Sequence, residues 1–303
     1  MKLQEQGAYL VVDKPVGPTS HDVVAQARRA LGTRDVGHAG TLDPFASGVL
    51  VLLVGAATRL ADVVGEGTKR YRAEALLGVE TTTDDLTGEP TFRSDADVSD
   101  EALLGALDAL TGHQLQVPPA YSAKHVGGRR AYELARAGEQ VALKPAEVHV
   151  EDIALVARDG RKVIFDVTCG RGTYIRALAR DLGRALGVGA HLTALRRTAV
   201  GPCTAERATP LAELAPSKLG SAAELGTLLP HVRVPPSDVT RLIQGGAFRG
   251  GTVGTTPWPA GTSGVVLSDA GLLAVGRSTA TLAPGEPVGP AQVTLGRRFP
   301  SLS

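Results

Sequence analysis

Ten consecutive residues, Gly48–Ala57 (GVLVLLVGAA), carry no polar side chain. About twenty such residues are needed to cross a bilayer, so the run is too short for a membrane helix. Its β-branched and leucine content instead predicts a strand over Gly48–Val54, buried on both faces. A strand of that kind needs layers on either side. With 43% apolar and 21% charged residues in a chain of 303, there is enough core to supply them. That balance excludes a disordered chain. The N-terminal Met1–Gln6 lacks the apolar core of a signal peptide, and a cytoplasmic location is expected. Cys169 and Cys203 are too few for a disulfide framework or a four-thiolate zinc site.

Around that strand the pattern is mixed. Tyr9–Asp13 reads as a strand running into a Lys14-Pro15 loop. Thr19-Ser20 can cap a helix with Asp22 in its first turn and Gly32 at its end. Gly37–Ser47 reads as a loop, 56–64 as helical, and Lys69–Val79 as a long strand. An amphipathic helix is expected over Ser99–Leu110, and another short one over Ala131–Ala137. Val148–Val156 and Val163–Thr168 should pair around Asp159-Gly160. Tyr174–Leu186 reads as a helix and Leu192–Val200 as a strand. With no regular βαβ repeat, the expected class is α+β with a large mixed, mainly antiparallel sheet. Beyond Pro235 the composition turns to Gly, Thr, Val and Pro with little helical periodicity, which predicts a small β-rich second domain. The expected division is therefore 1–235 and 236–303.

The net charge is +1, yet the charges are segregated along the chain. Glu80–Asp108 holds nine acids and one Arg; Arg158–Arg197 holds nine Lys or Arg and three acids. The acidic stretch Glu80–Asp97 is expected to be exposed. The basic region would suit a polyanion such as nucleic acid, or reflect nothing more than fluctuating surface charge.

Four clusters could carry chemistry. In Gly37-His38-Ala39-Gly40-Thr41-Leu42-Asp43-Pro44, an Asp on a glycine-rich loop is placed either for catalysis or for capping a turn. Gly170-Arg171-Gly172-Thr173-Tyr174-Ile175-Arg176, with Arg180 one turn on, suits an anion at a helix start or a solvated Arg face. Lys69-Arg70-Tyr71-Arg72 suits a stacked base beside phosphates, or an edge strand. Tyr121-Ser122-Ala123-Lys124-His125 through Gly127-Gly128-Arg129-Arg130 reads as a mobile basic loop or as a merely solvated surface loop. No phosphate-loop, dinucleotide or nucleophile-elbow motif is present, and the seven His show no metal-ligand spacing.

Taken in order, Leu10–Pro15, Gly37–Pro44, Lys69–Tyr71, Gly172–Arg176 and Leu195–Arg197 resemble the bacterial TruB family of tRNA pseudouridine synthases. The likeness runs from about residue 9 to residue 200. It implies isomerisation of uridine 55 in the T loop of tRNA, with no cofactor and no metal. By the same resemblance Asp43 is the essential carboxylate, acting at C1′ of the sugar or on the proton at C2′. The target base must be flipped out of its stack. Tyr71 would stack on the flipped uracil, Tyr174 would serve proton transfer near C5, and Arg176 would pair with the catalytic carboxylate. His38 would help hold the flipped loop and Leu195 would line the pocket. Lys14 would serve packing and Asp85 an RNA contact. The loop 121–138 would close on RNA, and 236–303 resembles a small PUA-type RNA-binding domain. The implied partner is the tRNA T stem and loop, with no membrane, no obligate protein partner and a monomeric state. Against this stand three rivals: a non-catalytic RNA-binding protein on the same scaffold, a synthase for another RNA, and a glycosidase. Most glycosidases need two carboxylates, and only Asp43 stands out.

Overall fold

The computed structural model describes residues 7–122, 143–269 and 271–299, together with the backbone of 125–126 and 129–130. The expected helix at 131–137 lies outside the described residues, as does most of the loop 121–138. Two compact units emerge, residues 68–198 and the remainder of the chain.

The N-terminal segment begins with β1 (Ala8–Lys14) and α1 (Ser20–Leu31). Thr19 caps α1 through a reciprocal pairing with Asp22, and Gly32 ends it at φ +65°. Then come β2 (Val36–His38) and β3 (Ser47–Val54). β3 pairs antiparallel with both β1 and β2. Its side chains alternate between two cores. Leu50, Leu52 and Val54 pack with Val23, Val24, Ala27 and Leu31 of α1. Val49, Val51 and Leu53 face the opposite way, into a core that includes Val265, Leu267 and Leu272. The apolar run is thus buried on both faces, as its composition demands. The segment after β3 is helical in two pieces, a 3₁₀ stretch at Gly55–Leu60 and α2 (Ala61–Glu66).

The unit 68–198 opens with β4 (Lys69–Leu77). The expected longer strand breaks at Gly78, whose φ of +93° turns the chain into the hairpin β5 (Val79–Thr81) and β6 (Pro90–Arg93). Next are α3 (Asp100–Ala109), capped by Ser99, and β7 (Gly112–Gln116). Two short paired strands follow, β8 (His125–Val126) and β9 (Arg129–Arg130). β10 (Ala146–Asp159) and β11 (Lys162–Cys169) form the expected hairpin, and β10 pairs antiparallel with β7. α4 (Ile175–Ala185) then leads to β12 (Ala190–Val200). Within this unit the strand order is β12-β4-β11-β10-β7.

On its return the chain adds three two-residue strands, β13 (Cys203–Thr204), β14 (Thr209–Pro210) and β15 (Gly220–Ser221). β14 lies parallel to β1 and β15 antiparallel to it. After α5 (Ala222–Leu228) a six-stranded sheet is built from β16 (His231–Arg233), β17 (Gly251–Val253), β18 (Ser263–Ser268), β19 (Gly271–Ser278), β20 (Pro287–Val288) and β21 (Val293–Arg298). Beyond Pro235 the sequence shows little helical periodicity, yet α6 (Pro236–Ile243) is a helix. It is only eight residues long, and it opens on a proline, which suits the first turn of a helix. One face of this sheet encloses Trp258, Phe248, Leu242 and Val266. The other carries Val265 and Leu267 into the core that β3 shares. The class is α+β, with mainly antiparallel strands and a β-rich C-terminal region.

Glu66, at the end of α2, ties the C-terminal strands to this core. Its carboxylate accepts from the Ser263 backbone N–H at 2.6 Å and the Ser263 hydroxyl at 3.2 Å, and it pairs with Arg277 at 3.3 Å. Removing it leaves the part-buried Ser263 N–H and hydroxyl without their acceptor. Glu66→Ala should cost about 1–3 kcal/mol of stability in urea unfolding. A loss below about 0.5 kcal/mol, the usual scatter of surface substitutions, would contradict this account.

Candidate active site

Asp43 sits on the loop between β2 and β3, where Gly40 (φ +102°) turns the chain. Its side chain is half-buried, while Leu42 and Phe45 on either side are buried. Two polar clamps from the N-terminal segment fix the loop. Lys14 is fully buried, and its ammonium donates to the carbonyls of Pro15 (2.9 Å), Pro18 (3.0 Å) and Pro44 (3.5 Å). The Pro44 carbonyl also accepts from the Gly17 N–H at 2.8 Å. Ser20 holds the other side: its hydroxyl donates to the Leu42 carbonyl (3.0 Å) and accepts from the Leu42 N–H (2.9 Å). The residues before and after Asp43 are therefore pinned by different groups. Preorganisation of this kind is what a catalytic carboxylate requires. His38 is half-buried at the end of β2, with its ring edge-on to His21 at 5.5 Å.

The other candidates lie in the unit 68–198. Tyr71 is half-buried on the face of β4 that also carries Lys69, Ala73 and Ala75. It pairs with Val167 two positions from Cys169, the end of β11 that leads into the Gly170–Thr173 turn. Tyr174 follows that turn, so both tyrosines belong to the same end of this ladder. Tyr174 precedes α4 at the N-cap, with an extended backbone (φ −102°, ψ 113°). Its backbone is gripped on both sides by Gln116, which is 1% exposed. The Gln116 carbonyl oxygen accepts from the Tyr174 N–H at 2.8 Å, and its amide donates to the Tyr174 carbonyl at 3.2 Å. Leu195 is buried on β12, the strand beside β4. Burial pushes the Cys169 thiol, in this neighbourhood, up to about 11. It is a packing group there, since the thiolate is the reactive form.

Arg176, Arg180 and Arg184 are spaced by four along α4 and share one face. Each reaches an acid from the segment 80–85. Arg176 pairs with Asp85 at 3.5 Å and donates to the carbonyls of Thr83 and Tyr121, both at 2.9 Å. Arg180 pairs with Asp84 at 3.0 Å and donates to the Val117 carbonyl at 2.8 Å. Arg184 makes a two-pronged contact with Glu80, 3.0 Å on each prong. Burial pushes the Asp84 carboxyl up, against the pull of Arg180, Arg176 and Arg184. Asp85, expected at an RNA contact, is 4% exposed. It accepts from the Thr83 hydroxyl and from the Thr87 N–H and hydroxyl. Its carboxylate organises the turn at 83–87 and supports Arg176.

The ladder corrects two expectations. The acidic stretch Glu80–Asp97 is not uniformly exposed, because Asp84 and Asp85 are buried. The basic stretch is not an open polyanion surface. Of its nine basic residues, Arg158, Arg161, Lys162, Arg176, Arg180 and Arg184 pair with Asp100, Asp95, Glu74, Asp85, Asp84 and Glu80. Arg72, expected beside a phosphate, is held by Asp166 through two 2.8 Å bonds. The two oppositely charged stretches neutralise each other. Sequence reasoning missed Gln116 and read Ser20 only as a helix cap. Both roles depend on partners 58 and 22 residues away in sequence.

A chain with this fold and this loop falls among RNA-modifying isomerases. Residues 28–175 match the TruB family pseudouridylate synthase N-terminal domain, and 176–232 match the tRNA pseudouridylate synthase B C-terminal domain. The tRNA pseudouridine synthase B of Thermobifida fusca (strain YX) is 51% identical over 247 residues, 78% of this chain and 84% of that protein. That of Rhodococcus jostii (strain RHA1) is 50% identical over 245 residues, 78% and 80% of the two chains. A solved chain from a Cbf5-Nop10-Gar1 complex superposes with a TM-score of 0.75 at 25% identity, covering 100% of this chain and 89% of that one. Another, from an archaeal box H/ACA sRNP Nop10-Cbf5 complex, gives 0.72 at 25% identity, with 98% and 87% covered. The chain belongs to the TruB family of pseudouridine synthases.

Two rungs of the ladder should differ sharply when cut. Arg180 is 8% exposed at its side chain and its partner Asp84 12%, whereas Arg184 is 59% exposed. Arg180→Ala leaves a buried carboxylate without its main cation and should cost about 3–5 kcal/mol. Arg184→Ala should cost no more than about 1 kcal/mol. Urea unfolding of the two variants, side by side, checks the order. A second outcome concerns the thiol: with Cys169 pushed up to about 11, the folded protein should show no rapid thiol alkylation at pH 8.

Proposed function

We propose that the protein isomerises uridine 55 in the T loop of tRNA to pseudouridine, with Asp43 as the essential carboxylate. The observation that carries this reading is the clamped, half-buried Asp43 loop in a chain of the TruB family. The relatives named tRNA pseudouridine synthase B support tRNA as the substrate. In the reaction the bond from N1 to C1′ breaks and a bond from C5 to C1′ forms. The proton on C5 leaves to solvent and N1 gains one. Nothing is oxidised or reduced, so the chemistry calls for no cofactor or metal. Asp43 acts either by bonding to C1′ as positive character develops there or by removing the C2′ proton. Both routes need an ionised carboxylate held in place.

The target uridine flips out of its stack. Tyr71 stacks on the uracil, Tyr174 moves the proton near C5, and Leu195 closes the apolar side of the pocket. Arg176 serves the catalytic carboxylate by orienting it, and His38 holds the flipped loop. Lys14 serves by packing under the catalytic loop. Asp85 acts through Arg176. The loop 121–138 closes on RNA. Residues 1–235 form the catalytic domain and 236–303 a PUA-like RNA-binding domain. The protein works as a cytoplasmic monomer without an obligate protein partner; among the described residues no helix is long and apolar enough to cross a membrane.

Tritium release from an unmodified tRNA transcript carrying 5-tritiated uridine, with the product position mapped, tests this reading. Wild type should release tritium and yield pseudouridine at position 55. Asp43→Asn should bind the transcript and release none. Turnover by that variant would remove Asp43 from its role, and a product elsewhere would change the substrate. Tyr71→Ala should lose about 1–3 kcal/mol of base stacking, visible in kcat/KM.

A further inference from the structure

Each arginine on the buried face of α4 is matched to an acid. Around β2 the arginines are gathered differently. A groove of about 910 Å3 is lined by Arg28, Arg34, Arg59 and Arg297, with Asp35 as its one acid. An adjoining hollow adds Arg29. These arginines come from the end of α1, the turn before β2, the 3₁₀ stretch after β3, and β21. Among the described residues none of the five forms an ion pair. Arg28 donates to the Val36 carbonyl at 2.9 Å, and Arg59 lies over the Phe299 ring at 5.9 Å. The α1 dipole favours Arg28 and Arg29 at the helix end, but it does not account for Arg34, Arg59 and Arg297, which other elements bring.

Bringing like charges together costs free energy, and a bound anion offsets that cost. We propose that this groove binds the phosphodiester backbone of the RNA substrate a few nucleotides from the flipped base. Its position fits that role. Val36 and Gly37 line the groove, and β2 runs directly from them into the Asp43 loop. At about 3.3 Å per residue, Val36 to Ala39 spans about 10 Å. Ala39 lies four residues before Asp43, so the groove adjoins the catalytic loop. Spread guanidinium groups suit successive phosphates rather than a single small anion. The inference rests on the reading that the chain acts on tRNA.

The test is a salt titration. Binding of an unmodified tRNA transcript is measured from 0.05 to 0.3 M KCl for wild type and for the triple variant Arg34→Gln/Arg59→Gln/Arg297→Gln. All three side chains are at least partly exposed, and circular dichroism melting confirms that the variant folds. Each arginine–phosphate pairing that the variant removes should lower the slope of log K against log salt by about 0.7–0.9. The expected result is a slope smaller by about two and an affinity lower by at least tenfold at 0.1 M salt. The kcat at saturating tRNA should be retained, because these phosphate pairings stabilise ground and transition states alike. A slope reduced by less than one unit overturns the proposal, leaving the arginines to an acidic protein or to no partner. Pseudouridine formation by wild type, measured on the same transcript, keeps the two readings apart. If it occurs at position 55 while the variant's slope is unchanged, only the groove assignment falls. If it does not occur, the functional reading fails, and the slope still reports on the groove.

Discussion

The face of α4 that carries Arg176, Arg180 and Arg184 is the constraint on which the unit 68–198 depends. Two of these guanidinium groups are buried, and a buried cation is tolerated only when its donors are matched. Five polar partners of Arg176 and Arg180 come from Thr83, Asp84, Asp85, Val117 and Tyr121. Satisfying them forces the turn 81–87 and the chain after β7 against one helix. Asp84 accepts a left-handed backbone (φ +59°) to reach its place. Tyr174 stands at the head of that helix, and its backbone is closed by Gln116, the last residue of β7. One set of contacts therefore fixes a candidate catalytic tyrosine and both flanks of the ladder it belongs to.

The Asp43 loop is built by a different device. A glycine-rich loop is free to adopt many conformations, and that freedom must be removed without covering the carboxylate. Lys14 and Ser20 remove it from below, through backbone groups of Pro44 and Leu42 on either side of Asp43. Lys14 is stable in this position because its ammonium meets three proline carbonyls, two from the bend after β1 and one from the Asp43 loop. Pro15, Pro18 and Pro44 have no N–H of their own to compete for acceptors.

What the sequence makes legible follows from the range of the interactions. Alternation and apolar runs are local, and they locate β1, β3, β11 and β12 to within two residues. Glycine, proline and capping residues are local too, so α1 and α3 and the Asp43 loop are readable. The break at Gly78 is not, because its N–H meets the Gly189 carbonyl, more than a hundred residues on. α6 escapes notice because eight residues give a periodicity signal too little room. The family resemblance supplies Asp43, Tyr71 and Tyr174 as site residues, but Gln116 looks like any polar strand residue until Tyr174 is beside it.

Charge is where linear reading misleads most, and the reason is physical. A block of acids and a block of bases along the chain look like two surfaces with two partners. In the folded unit they meet, because each block supplies what the other needs at burial. Net charge along a segment therefore says little about affinity for a polyanion. What bears on it is the charge left without a counter-charge after folding. By that measure the exposed arginines at 28, 29, 34 and 297 and the partly exposed Arg59, scattered over 270 residues of sequence, outweigh the concentrated run from 158 to 184, whose bases are matched almost one for one. The same reasoning separates an arginine-rich composition from a binding surface: composition sets how many guanidinium groups there are, and folding decides which of them remain to be answered by something outside the chain.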